Sequence, residues 1–131
     1  MHFQLNDEQR ALQEAARKFA QAELSALARE LEESNEPLPH EWVRRYAEMG
    51  FLGINLPEAY GGQGLSHFDA VLVLEEFAKI SGAVAAPIFE SCFGPTLAIQ
   101  RYANEDLKQR VLRAVCAGEM IVAVSMSEPG A

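Results

Sequence analysis

Chemistry in this chain of 131 residues has to come from the side chains able to hold a proton, a metal or a phosphate, and these are few and scattered. His2, His40 and His67 share no ligand spacing; there is no H-E-x-x-H run and no Glu-x-x-His pair of the di-iron bundle type. Cys92 and Cys116 sit in apolar helical settings without C-x-x-C spacing, which predicts two buried thiols in a reducing compartment rather than a disulfide or a metal pair. Glu75-Glu76 falls in mid-helix. Acid–base work by such a pair needs a third group, none stands nearby in the sequence, and at least one of the two carboxylates is expected to be solvated. Gly62-Gln63-Gly64 has the start of a phosphate loop but lacks its third glycine and a preceding β-run, so the glycines are read as turn formers. A G-x-S-x-G elbow is also missing.

The elements that must position these residues are helical, folded around one irregular stretch, Met49–Ser66. Pro57 lacks an N–H and keeps Leu56 out of the α region, and Gly61, Gly62 and Gly64 admit positive φ, so this stretch cannot be helical throughout. Before it, Asn6 with Gln9 forms a capping box for one long amphipathic helix, about Asp7–Glu33, whose inner stripe is rich in alanine. A Pro-bounded loop and a short helix carrying Trp42, Val43 and Tyr46 lead to Gly50. After it, Ser66 caps a third helix that ends near Ser81-Gly82. Ala83–Tyr102 is the least polar segment, and Pro87 and Gly94-Pro95 predict a kinked, largely buried helix. Asn104 caps a fifth helix, Glu105–Ala117, closed by Gly118. Met120–Met126 is short, apolar and β-branched, the pattern of a strand with nothing to pair with.

Composition narrows the function class. The apolar and charged fractions of 49% and 23% are those of a globular protein. Nineteen acidic against eleven basic residues give a net charge of −8, which argues against nucleic acid and anionic membranes as partners. Uninterrupted apolar stretches fall far short of a membrane span, and the first residues show no signal peptide, so the expected location is cytoplasmic or an organelle matrix. Residue pattern by itself thus supports an all-α bundle of about five helices with one short C-terminal strand.

The strand runs into Ser127-Glu128-Pro129-Gly130-Ala131. Together with Asn6-Asp7-Glu8-Gln9-Arg10, Met49-Gly50, Leu56-Pro57-Glu58, Tyr60-Gly61-Gly62-x-Gly64, Leu74-Glu75-Glu76 and Gly118-Glu119, in that order, this tail resembles the acyl-CoA dehydrogenase family over the whole chain. The resemblance implies that residues 1–118 are the N-terminal helical domain, and that 119–131 are the first strand and linker of an FAD-binding β-domain that is cut off before the family's Gly-Ser-Asp. Ser125 stands where the family usually has Gly, Ala or Cys. By family position Val124, Met126 and Ser127 lie on the flavin, with the Ser127 hydroxyl hydrogen-bonded to its ring, and Phe89, Cys92 and Phe93 line the end of the acyl pocket. The family's catalytic glutamate belongs to the missing C-terminal part, so no catalytic residue and no metal ligand is assigned here. FAD, an acyl-CoA substrate, an electron-transfer partner and homo-oligomerisation are implied for the complete protein, and inactivity for the fragment. The alternatives are a free-standing, non-catalytic helical interaction module and, disfavoured by the histidine placement, a bundle holding a metal or haem.

Overall fold

The computed structural model describes residues 4–130, so His2 and Ala131 lie outside the described residues. Seven α-helical segments form five rods. The first rod is α1 (Asp7–Phe19), a π-helical turn (Ala20–Leu24) and α2 (Ser25–Ser34), one unbroken run where the sequence predicts a uniform helix. Asn6 and Gln9 form the expected capping box, and Asn35 ends the rod in the left-handed region at φ 56°. Next come α3 (His40–Glu48), α4 (His67–Ala78), the pair α5 (Gly82–Cys92) and α6 (Gly94–Tyr102), and α7 (Glu105–Cys116). The rods pack α1 on α4, α4 on α5, and α6 on α7, so that the first and third rods are neighbours across the second.

The kink predicted in the fourth rod falls at Phe93, with φ −123° and ψ −80°, while Pro87 is accommodated inside α5. Pro95 occupies the first turn of α6, where its missing N–H has no intrahelical partner to lose. Buried Thr96 bridges the break by donating its hydroxyl to the Ser91 carbonyl at 3.1 Å. By length and a mean hydropathy of 1.3 the run Gly82–Tyr102 is apolar enough to cross a membrane. In the fold, however, Val84, Ala85, Ile88 and Cys92 are buried in the main core, as in an internal helix of a packed domain.

That core is centred on four rings. Phe77 lies 5.7 Å from Phe19, 5.1 Å from Tyr46 and 5.3 Å from Phe51, with the two latter contacts edge-on, the geometry that aromatic quadrupoles favour. Phe51, Leu52, Ile54, Asn55 and Leu56 are all buried although they belong to no helix. The chain therefore passes through its own interior as a loop. A second cluster, Leu56, Leu112 and Cys116, seats α7 against the loop's far side.

The C-terminal segment forms no strand among the described residues, a departure from the short strand that its composition predicts. Strand propensity needs a ladder partner, and no other described segment is extended to supply one. Met120, Ile121 and Val122 instead lie along Val43, Leu52 and Pro87, beside a cleft of only about 10 Å³. Beyond them Val124 to Glu128 are exposed.

Close backbone approach makes Gly62 a stability determinant. A Cβ built there stands 2.1 Å from the Leu56 carbonyl oxygen, a backbone atom that cannot swing away. Gly62→Ala is expected to lower stability by about 1–3 kcal/mol, whereas Gly82→Ala, with no atom within 4 Å of the new methyl, is expected to be neutral or stabilising. Urea midpoints of the two variants check this, and equal midpoints would refute it.

Candidate functional site

The buried loop is anchored to α5 at the residues next to the candidate site. Ser91 Oγ accepts from the Gly53 N–H at 3.2 Å and donates to the Ile88 carbonyl at 3.1 Å. Asn55 Nδ2 donates to the Cys92 carbonyl at 2.7 Å. These bonds satisfy loop and helix groups that the interior would otherwise leave unpaired. They also fix the outward face of α5, where Phe89 is half-exposed and stacks on Phe93 with ring centroids 6.0 Å apart. His67, the first residue of α4, meets Phe93 edge-on at 6.4 Å.

Of the three residues expected to line an acyl pocket, the structure brings Phe89 and Phe93 together and turns Cys92 inward. Cys92 is fully buried in the main core, with its thiol against Ser91 Oγ at 3.5 Å. Burial pushes its pKa up. Burial and the neighbouring Cys92 likewise push the Cys116 thiol up to about 11. Both thiols are free and stay protonated, as packed side chains and not nucleophiles.

Val124, Met126 and Ser127 are brought together on the exposed tail, away from the Phe89–Phe93 pair in sequence and joined to it only through the domain. Met126 is 83% exposed and Val124 54%, so both apolar side chains and the Ser127 hydroxyl are open to a partner. Two apolar side chains and a hydroxyl fit one edge of a flat ring system whose rim is polar, as an isoalloxazine is. They do not enclose it.

One carboxylate escaped the sequence reading. Glu75 is half-exposed and bonded to Lys79, but Glu76 is 3% exposed. It receives the Arg17 guanidinium through two hydrogen bonds of 3.2 and 3.3 Å and the Lys79 ammonium at 2.9 Å. Burial raises the Glu76 pKa, and the Arg17 and Lys79 hydrogen bonds more than offset it, holding the carboxyl below the usual glutamate range. Arg17 comes from α1 and Glu76 from α4, so this ion pair ties together the two helices that carry the aromatic core. A carboxylate neutralised by two cations is a poor general base and serves as a strut. Glu75 lies between the same Leu74 and Phe77, so place in the apolar helix does not single out Glu76. The sequence reading also missed the clamp made by Asn55 and Ser91, and the groove that holds Arg101 beside His67.

Among the described residues no group of three His, Cys, Asp or Glu side chains is placed to hold a metal ion.

Because the folded-state pKa of Glu76 is lowered, its contribution is complete above the unfolded value of about 4.3 and is lost as pH falls through the lower folded value. Glu76→Gln is expected to cost on the order of 1–3 kcal/mol at neutral pH and to flatten the loss of stability below pH about 4. Urea unfolding of both proteins from pH 7 to pH 3 checks this, and parallel curves would refute it.

Residues 6–119 match the family model described as acyl-CoA dehydrogenase, N-terminal domain. The chain is 38% identical over 128 residues to mitochondrial isovaleryl-CoA dehydrogenase of Bos taurus, covering 97% of this chain and 30% of that protein. It is 38% identical over 129 residues to 3-sulfinopropanoyl-CoA desulfinase of Paraburkholderia xenovorans, covering 98% of this chain and 33% of that one. The acyl-CoA dehydrogenase structure from Geobacillus kaustophilus superposes with a TM-score of 0.90 at 28% identity, covering 100% of this chain and 34% of that one. The chain spans about a third of the length of the curated relatives it matches. By the match of residues 6–119 the chain belongs to the acyl-CoA dehydrogenase family and is built as that family's N-terminal helical domain.

Proposed function

We propose that this chain forms the N-terminal part of a flavin-dependent enzyme that dehydrogenates an acyl-CoA thioester between its α and β carbons. The observation that carries the proposal is the tail: an apolar, unpaired run, Met120 to Ser127, leaves the helical domain and exposes Val124 and Met126. A segment that has no use for a partner sheet has little reason to be so apolar. On this reading residues 1–118 are the helical domain, and 119–131 begin a β-domain. FAD, when bound, supplies the acceptor for the β-hydride. Val124 and Met126 cover part of its ring, and the Ser127 hydroxyl donates or accepts one hydrogen bond at its rim. Phe89 and Phe93 exclude water and bound the acyl group, while Cys92 supports them from behind.

The same reading gives the complete protein an acyl-CoA substrate, an electron-transfer partner and a homo-oligomeric assembly, and places it in the cytoplasm or an organelle matrix. The names of the bovine and Paraburkholderia relatives, which act on isovaleryl-CoA and 3-sulfinopropanoyl-CoA, support the substrate class. The mitochondrial name of the first supports the location.

One edge of a flavin site is not enough to retain a ligand of that size, which needs contacts converging from several elements. Purified 1–131 is therefore expected neither to copurify with FAD nor to reduce a dye with isovaleryl- or butyryl-CoA, and stoichiometric flavin or turnover would refute this. In a protein that carries the β-domain as well, Ser127→Ala is expected to weaken flavin binding or slow its reduction by about 1 kcal/mol. Flavin titration and stopped-flow reduction measure the change, and an unchanged mutant would remove the role given to Ser127.

A further inference from the structure

Past the Phe93 ring the surface opens into a groove of about 540 Å³ lined by His67, Leu97, Ala98, Gln100, Arg101 and Tyr102. His67 links it to the candidate acyl site, since its ring meets Phe93 at 6.4 Å and Phe93 stacks on Phe89 at 6.0 Å. The charge of this lining is unlike that of the chain. The protein carries a net charge of −8, yet the groove contains no carboxylate and its ionisable groups are Arg101, His67 and the Tyr102 phenol. The nearest acid of α5 is Glu90, whose carboxylate is directed at Gly94 and is not part of the lining. Among the described residues Arg101 makes no ion pair, although seven ion pairs form elsewhere. Leu97 and Ala98 supply an apolar wall beside it, and Gln100 an amide donor. A guanidinium with a free planar fork, a neighbouring amide and an apolar approach is the donor set that recognises a carboxylate at the end of a hydrocarbon chain.

We propose that this groove receives the distal carboxylate of an ω-carboxyacyl group whose thioester end lies on the other side of the Phe89–Phe93 pair. Arg101 is the specificity-determining residue, Gln100 and His67 add hydrogen bonds, and the two phenylalanines hold the methylene chain between the ends. This assignment rests on the acyl-CoA reading above and narrows it to acyl chains that carry a second acid and are long enough to pass both rings.

The first test uses the chain itself. Backbone amide NMR of 1–131 is followed during titration with suberate, 1,8-octanediol and inorganic phosphate. Suberate is expected to shift His67 and residues 97–102, octanediol and phosphate to leave them in place, and Arg101→Gln to weaken the suberate response by about tenfold, the low end for a charged hydrogen bond. Arg101→Lys should retain part of the response, and circular dichroism confirms that both variants fold. Equal shifts with octanediol would reduce the groove to an apolar surface, equal shifts with phosphate would make it a general anion site, and no shifts would remove it; each overturns the proposal.

The second test uses an enzyme that includes this chain together with its β- and C-terminal domains. Arg101→Gln is expected to lower kcat/KM for suberyl-CoA about tenfold while leaving octanoyl-CoA unchanged. Turnover of both thioesters with no dependence on Arg101 would overturn the groove assignment alone. Turnover of isovaleryl- or butyryl-CoA but of neither C8 thioester would overturn this proposal and leave the acyl-CoA reading standing, and turnover of none of the four would overturn both.

Discussion

Everything in this domain depends on how the peptide groups of residues 51–56 are paired while they lie inside an apolar core. A loop is ordinarily kept at the surface because its N–H and C=O groups need water. Here they find partners in the adjoining chain on either side and in α5. The Phe51 N–H reaches the Tyr46 carbonyl at 2.9 Å, the Leu56 carbonyl accepts from the Gly64 N–H at 2.8 Å, and the Ile54 carbonyl from the Leu65 N–H at 3.0 Å. From α5, Ser91 Oγ accepts from the Gly53 N–H and the Cys92 carbonyl accepts from the side chain of Asn55. Closing the loop back on itself at such short range requires Gly62, because any side chain would occupy the space of the Leu56 carbonyl. The result is an irregular segment that is as fixed as a helix and can be packed from several sides.

The rods are then placed by what they must cover. Phe51, Leu52 and Ile54 meet the aromatic cluster, which pulls α1, α3 and α4 onto one side of the loop. Leu56 meets Leu112 and Cys116, which pulls α7 onto the other. Tyr60 donating to Glu105 at 3.1 Å and Arg113 donating to the Ala59 carbonyl at 3.2 Å hold the outer end of the same connection to α7. The Arg17–Glu76 pair adds a polar tie between α1 and α4 beside the apolar contact of Phe19 with Phe77. Its partners are partly in water and its carboxylate is not, so salt screens it less than a surface pair. What remains uncovered is the outer side of α4 and α5, with Phe68, Val71 and Phe89, and the tail.

Much of this was legible because it is local. Asn6, Ser66 and Asn104 cap their helices as their types predict, since an N-cap needs only the next three residues to be specified. The all-α class, the irregular loop and the kinked fourth rod follow from periodicity and from Pro and Gly. Facts that depend on contact across the sequence were not legible. Glu75 and Glu76 are the same residue side by side, and only the arrival of Arg17 on one of them separates a surface acid from a buried strut. Phe68 and Val71 are as apolar as Val73 and Phe77, yet the first two are exposed and the last two are buried. Of the site, the pairing of Phe89 with Phe93 follows from their spacing on one turn, whereas the inward turn of Cys92 and the approach of His67 come from how α4 and α5 meet.

The π-helical turn at Ala20–Leu24 has a further consequence, in the arithmetic of insertion and deletion. An α-helix turns about 100° per residue, so on a perfectly regular rod the inner stripe that holds Ala16, Ala20, Leu24, Leu27 and Leu31 would have turned by about 60° between its first and last residue. A π turn places more residues in one revolution and brings the second half of the stripe back into line. The first rod therefore contains a one-residue slack between two fixed halves. Loss of a residue within it would convert the turn to ordinary α-helix and leave the inner face of α2 in register, while the same loss inside α1 would displace the capping box and the Arg17–Glu76 pair relative to each other. Length variation in this rod is confined by geometry to a single turn.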